Sequence, residues 1–108
     1  MTQTLIRRHV SSARKTLDLE IAALKELKQA LLETDLGTSF EEAVNVRATA
    51  KGRVIITGIG KSGHIARKIT ATLVSTGTSA LYIHPSEASH GDLGSIGRDD
   101  VVLAVSWS

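Results

Sequence analysis

Apolar residues recur at Val10, Leu17, Leu24 and Leu31, seven positions apart, with Ile6, Ala13 and Leu27 between them. That spacing predicts one long helix over roughly residues 4 to 34, with a single apolar stripe and Arg8, Lys15, Glu26 and Glu33 opposite. So long a helix beside so small a domain cannot bury its whole stripe within one subunit. The stripe therefore reads as packing on another subunit rather than simply on the domain. Gly37 breaks the pattern. Thr38 with Glu41, or Ser39 with Glu42, fits the capping box of a second helix. That helix runs to about Ala50 and stops at Lys51-Gly52, where the glycine suits a helix end.

From Arg53 the rhythm changes. Arg53-Val54-Ile55-Ile56-Thr57 is a short β-branched run of the kind buried on both faces of a sheet. Gly58 to Gly63 is a turn, and His64 to about Thr76 is a helix with Ile65, Ile69 and Leu73 on one face, closed by Gly77. Ala80–Ile83 is a second strand. Pro85 to Ile96 is a loop, with one helical turn opened by Pro85. After Gly97-Arg98-Asp99-Asp100, Val101–Val105 is a third buried-type strand. This order predicts an α/β fold: an incomplete, doubly wound parallel sheet with three strands, preceded by a long N-terminal helix and a second helix. The expected division is a helical segment over 1–52 and a partial domain over 53–108. A strand followed only by Ser106-Trp107-Ser108 leaves one flank without its helix and an apolar edge exposed, as expected of a piece of a longer protein.

Composition narrows the function. The formal charge of +2, from 13 basic and 11 acidic residues, is no electrostatic footprint for nucleic acid. There is no cysteine, which excludes disulfides and thiolate metal sites. No apolar run reaches membrane-spanning length and the N-terminus lacks the apolar stretch of a signal peptide, so the cytoplasm is expected.

The candidate chemistry lies in GIGKSGH, residues 58–64. It fails as a P-loop, because the position that needs the first glycine is Ile55, inside the strand. It passes the glycine test for a dinucleotide site, but the second strand ends in Ile83-His84 rather than in an acid. What remains is shared physics: glycines let backbone approach an anion, and helix N-terminal amides point at it. Ser62 adds a hydroxyl and Lys61 a cation at the carboxyl end of the first strand. Ser106 and Ser108 end the third strand on the same edge, where two hydroxyls could hold a phosphate.

Three stretches, GIGKSGHIARK (58–68), STGTSALYIHPSEASHGDLG (75–94) and DDVVLAVSWS (99–108), resemble the sugar isomerase (SIS) domain family. Within it they look most like the D-arabinose-5-phosphate isomerases that start the route to the lipopolysaccharide sugar Kdo. The resemblance implies an aldose–ketose isomerase acting on D-ribulose 5-phosphate and D-arabinose 5-phosphate. It also implies a homotetramer with sites between subunits and no redox cofactor. Lys61 matches the family's catalytically important lysine. Gly77-Thr78 and His90 match substrate-contacting positions, and Ser106 and Ser108 match the start of its phosphate-binding serine loop. His84 matches a position associated with an accessory or inhibitory zinc. Trp107 departs from the Asn or Tyr of many relatives. The family domain continues past this span, and those later residues are thought to supply much of the acid–base apparatus. The alternative is a non-catalytic phosphosugar-binding SIS domain of a regulatory protein, although residues 1 to 50 show no helix-turn-helix.

Isomerisation needs a base, a donor for the developing oxyanion and a phosphate clamp. The expected clamp is Gly60, Ser62, Gly63, Ser106 and Ser108; the expected catalytic groups are Lys61 and His90. Glu87 and Asp92 are the nearest carboxylates in sequence, Asp92 more as a cap or loop-fixing group. His64 reads as a cap or packing residue and His9 as solvated.

Overall fold

A computed structural model of the protein describes residues 2–107. The chain divides into two compact units, with the boundary between Ala43 and Val44.

The first unit is dominated by α1, Gln3–Glu33. Thr2 caps it, its hydroxyl accepting from the Leu5 N–H at 3.4 Å. No residue of α1 is buried, and the stripe from Val10 through Leu17 and Leu24 to Leu31 is exposed along its length. Thr34 then serves two helices. Its hydroxyl donates to the Ala30 carbonyl at 2.7 Å and accepts from the Leu36 N–H at 3.2 Å. The second helix, α2, spans Leu36–Thr49. Gly37 therefore lies inside α2 rather than breaking the pattern, and neither Thr38 nor Ser39 is its cap. A β-carbon at Gly37 would collide with the Leu31 carbonyl oxygen, so this glycine permits a two-residue connection.

The second unit is a three-stranded parallel sheet in the order β2-β1-β3, with β1 at Val54–Thr57, β2 at Ala80–Tyr82 and β3 at Val101–Ala104. Its central strand buries Val54, Ile55 and Ile56, as its unbroken apolar sequence predicts. Outermost of the three described strands, β3 exposes Val102 and Leu103. Helix α3 covers Gly60–Ser75, beginning four residues before the expected His64. The face turned to the sheet is Ala66, Ile69 and Leu73, packed with Val54, Ile56, Ala80 and Tyr82. The spacing places Ile65 on that face too, but it is 54% exposed, whereas Ala66 is fully enclosed. A small residue lets the helix lie close to β1. The helix ends in a Schellman motif: Gly77 takes φ +93°, its N–H bonds the Val74 carbonyl, and the Thr78 N–H bonds the Leu73 carbonyl at 2.8 Å.

The connection from β2 to β3 contains more structure than one turn. It holds α4, Pro85–Ser89, and a 3-10 turn, Asp92–Ser95. Before β1, Gly52 is no left-handed helix end. A β-carbon there would lie 2.5 Å from the Asp99 carbonyl, and its N–H donates to that same oxygen at 2.9 Å.

Candidate functional site

With β1 flanked by β2 on one side and β3 on the other, the chain leaves the central strand at a topological switch point. Open parallel sheets bind ligands at the carboxyl ends of strands at such a point. A cleft of about 460 Å³ lies there, lined by Gly58, Ile59, Ser62, Pro85, Val105 and Ser106 among others. The sequence predicts Ser62 and Ser106 for phosphate, and the fold brings both to this cleft although they stand far apart along the chain.

The turn between β1 and α3 is shaped by close backbone approaches. A β-carbon on Gly58 would meet the Ser62 carbonyl at 2.9 Å and the Val105 carbonyl oxygen at 3.0 Å. One on Gly63 would lie 2.7 Å from the Gly58 oxygen. Gly60 has open space around it but takes φ +62°, which an L side chain rarely adopts. The three glycines thus serve two ends: closeness at 58 and 63, conformation at 60. Since α3 starts at Gly60, Lys61 and Ser62 stand in its first turn, where backbone N–H groups have no acceptor within the helix. The positive end of the helix dipole and those donors favour an anion there. The Lys61 side chain is exposed and makes no hydrogen bond or ion pair with any other described residue.

The other expected site residues scatter. His90 is exposed at the end of α4, with its backbone N–H on the Glu87 carbonyl at 3.1 Å. Among the described residues no carboxylate or imidazole lines the cleft. Gly77 and Thr78 close α3 at the opposite, amino edge of the sheet, because α3 starts from the end of β1 and returns to the start of β2. Ser108 lies outside the described residues. Asp92 is exposed in the first turn of the 3-10 segment, whose cap position is Gly91. His64 and His9 are exposed.

His84 caps α4. Its Nδ1 accepts from the Ser86 N–H at 3.1 Å and lies 2.8 Å from the Ser86 hydroxyl. That occupies Nδ1 and leaves Nε2 with no partner among the described residues. Among the described residues no three His, Asp or Glu side chains gather into a metal-binding group. These residues do not by themselves build a zinc site.

Two further residues are prominent in the structure and were not singled out in the sequence. Tyr82 donates its hydroxyl to the Gly58 carbonyl at 2.7 Å. Asp100, with a side chain only 7% exposed, ties down the amino edge. Its carboxylate accepts from the Arg53 N–H and the Gly97 N–H, both at 2.6 Å, and lies 3.4 Å from the Arg53 guanidinium. The Gly97 amide first, then the Arg53 amide, hold this carboxyl below the usual aspartate value, outweighing the opposing effect of burial. The sequence does carry a signal for each: a lone tyrosine in an apolar strand needs a partner for its hydroxyl, and an acid ending a turn suits the amides around it.

Known proteins share this arrangement. A family model described as SIS domain matches residues 48–108. The arabinose 5-phosphate isomerase KdsD of Pseudomonas aeruginosa is 48% identical over 99 residues, 92% of this chain and 29% of that protein. The arabinose 5-phosphate isomerase GutQ of Salmonella typhi matches with the same identity and the same coverage of both chains. This chain thus spans 29% of the length of these curated relatives. The solved structure of c3406 from E. coli CFT073, in complex with arabinose 5-phosphate, superimposes with a TM-score of 0.79 at 36% identity, covering all of this chain and 53% of that one.

Proposed function

This chain belongs to the SIS domain family, and on that premise we propose that its switch-point cleft holds the phosphate of a pentose phosphate. The reaction it serves is the interconversion of D-arabinose 5-phosphate and D-ribulose 5-phosphate. The observation that carries the reading is the convergence of Ser62, Ser106 and the first turn of α3 on one cleft. The arabinose 5-phosphate bound to the c3406 relative supports the ligand class. Aldose–ketose isomerisation moves a proton between adjacent carbons with no net oxidation, so it needs no redox cofactor. The phosphate clamp fixes the sugar's far end, leaving its carbonyl end to be reached by Lys61, whose ammonium can stabilise the enediolate oxyanion. His90, exposed and with no side-chain partner among the described residues, can serve in ring opening or proton transfer. A phosphosugar is charged at neutral pH and does not cross a bilayer, so we expect the activity in the cytoplasm.

The partner in this reading is a second copy of the chain, in a homotetramer. The exposed stripe of α1 supports it, as does the helix's charge. Arg7, Arg8, Arg14 and Lys15 fill its first half without an acid, and acids outnumber bases from Asp18 onward. Two such helices in antiparallel order bring unlike charges together. Gly77 and Thr78, on the far edge of the sheet, could contact substrate only in a site shared between copies.

The absence of carboxylates and imidazoles from the cleft lining, among the described residues, favours a second reading, in which the chain binds phosphosugar without turning it over. Calorimetric titration with D-arabinose 5-phosphate and an isomerisation assay separate the two. Both readings require binding. In a version that turns over, Lys61→Ala should cut kcat by about 10²–10³-fold. No binding would remove the whole proposal, and full turnover by the Lys61 variant would remove that residue from the chemistry.

A further inference from the structure

The turn that starts α3 is flanked by Gly58 and Gly60, and each glycine restrains the peptide beside it less than any other residue would. A loop with that freedom would present its amides to an anion in many orientations and lose affinity in ordering them. Tyr82 removes the freedom. Its hydroxyl donates to the Gly58 carbonyl at 2.7 Å, which fixes one face of the 58–59 peptide plane. The ring is itself held on two sides. It packs with the Val54, Ile56 and Ala66 cluster, and the Arg67 guanidinium lies 4.1 Å from its centroid. Arg67 stands on α3, so the latch joins three elements: β2 supplies the tyrosine, the end of β1 the carbonyl, and α3 the cation. Gly63 makes room, since a β-carbon there would come within 3.2 Å of the phenol oxygen.

We propose that Tyr82 is a positioning residue for the phosphate-binding turn, holding the Gly58 carbonyl so that the first-turn amides of α3 are aimed before the ligand arrives. This rests on the site assigned above but makes a separate demand. A hydroxyl that touches no ligand must change affinity for one. The test is Tyr82→Phe, which keeps the ring, its packing and the Arg67 contact and deletes only the latch. Inorganic phosphate and D-arabinose 5-phosphate are titrated into wild type, Tyr82→Phe and Ser62→Ala, with the thermal midpoint of each free protein recorded. We expect Tyr82→Phe to weaken both ligands about two- to tenfold, the range of one net hydrogen bond, in protein that is still folded at the titration temperature. Amide exchange at Gly60 should be faster in that variant without ligand and approach wild type with it. A merely structural role would lower the midpoint and leave both affinities of the folded protein unchanged, which overturns the proposal. If Ser62→Ala weakens binding and Tyr82→Phe does not, the latch alone is refuted. If neither variant changes binding, the site itself is wrong.

Discussion

The two edges of the same small sheet are built on opposite principles. At the amino edge the polar groups at the start of β1 and β3 are matched: Asp100 takes two backbone amides and faces Arg53, whose guanidinium also donates to the Ser95 carbonyl at 2.5 Å. The Schellman end of α3 closes the same edge with its own backbone. At the carboxyl edge the donors converge on a cleft instead, with first-turn amides lacking helical acceptors and Lys61 exposed beside them. One edge uses its polar groups to hold the strands in place. The other leaves the first-turn amides of α3 without helical acceptors and Lys61 exposed beside the cleft.

Substitution of the shared core should break both edges at once and have the largest effect. Ile56 is fully enclosed at the centre of the sheet. Ile56→Ala should cost roughly 2–5 kcal/mol of unfolding free energy, measured by urea denaturation; a cost under about 1 kcal/mol would mean the sheet does not depend on that packing. Next come the cleft hydroxyls. A hydrogen bond to a charged phosphate is worth about 1.5–3 kcal/mol, so Ser106→Ala should weaken D-arabinose 5-phosphate roughly 10- to 100-fold in protein that is still folded at the titration temperature. A variant that binds normally would place the phosphate elsewhere.

Asp100→Asn sharpens the contrast from the amino edge and should have the smallest effect. The folded carboxyl titrates below its ordinary value of 3.8. Its contribution to stability is therefore fully present above that value and lost as pH falls through the lower folded one. The thermal midpoint of wild type should exceed that of Asp100→Asn at pH 7, and the gap should narrow steadily below about pH 4. Phosphosugar affinity at pH 7 should not move. A gap independent of pH would show that the charge of Asp100 contributes nothing.

Much of this was legible in the sequence because the local rules and the tertiary structure agree. The run Val54-Ile55-Ile56 reads as a doubly buried strand and is one, and the seven-residue stripe reads as a long helix and lies on one. Errors cluster where a glycine's reason is a distant backbone rather than a local turn. Gly37 looks like a helix breaker but makes room for the Leu31 carbonyl, and Gly52 looks like a helix end but makes room for Asp99. The start of α3 was missed for a related reason. Gly60 is a poor helix former, yet its positive φ is the geometry from which this helix begins. In the site, Ser62 and Ser106 could be brought together by topology alone, since both follow parallel strands at one edge. Tyr82 could not, because its partner is a main-chain carbonyl that no side-chain pattern announces.

The claim on which the rest depends is that an anion sits at the carboxyl edge between the start of α3 and the end of β3. Amide NMR shifts of the isotopically labelled chain during a titration with D-arabinose 5-phosphate test it directly. The account predicts saturable shifts at Gly60, Lys61, Ser62 and Ser106, with Gly97 and Asp100 still. Shifts confined to the amino edge, or none at any residue, would contradict it.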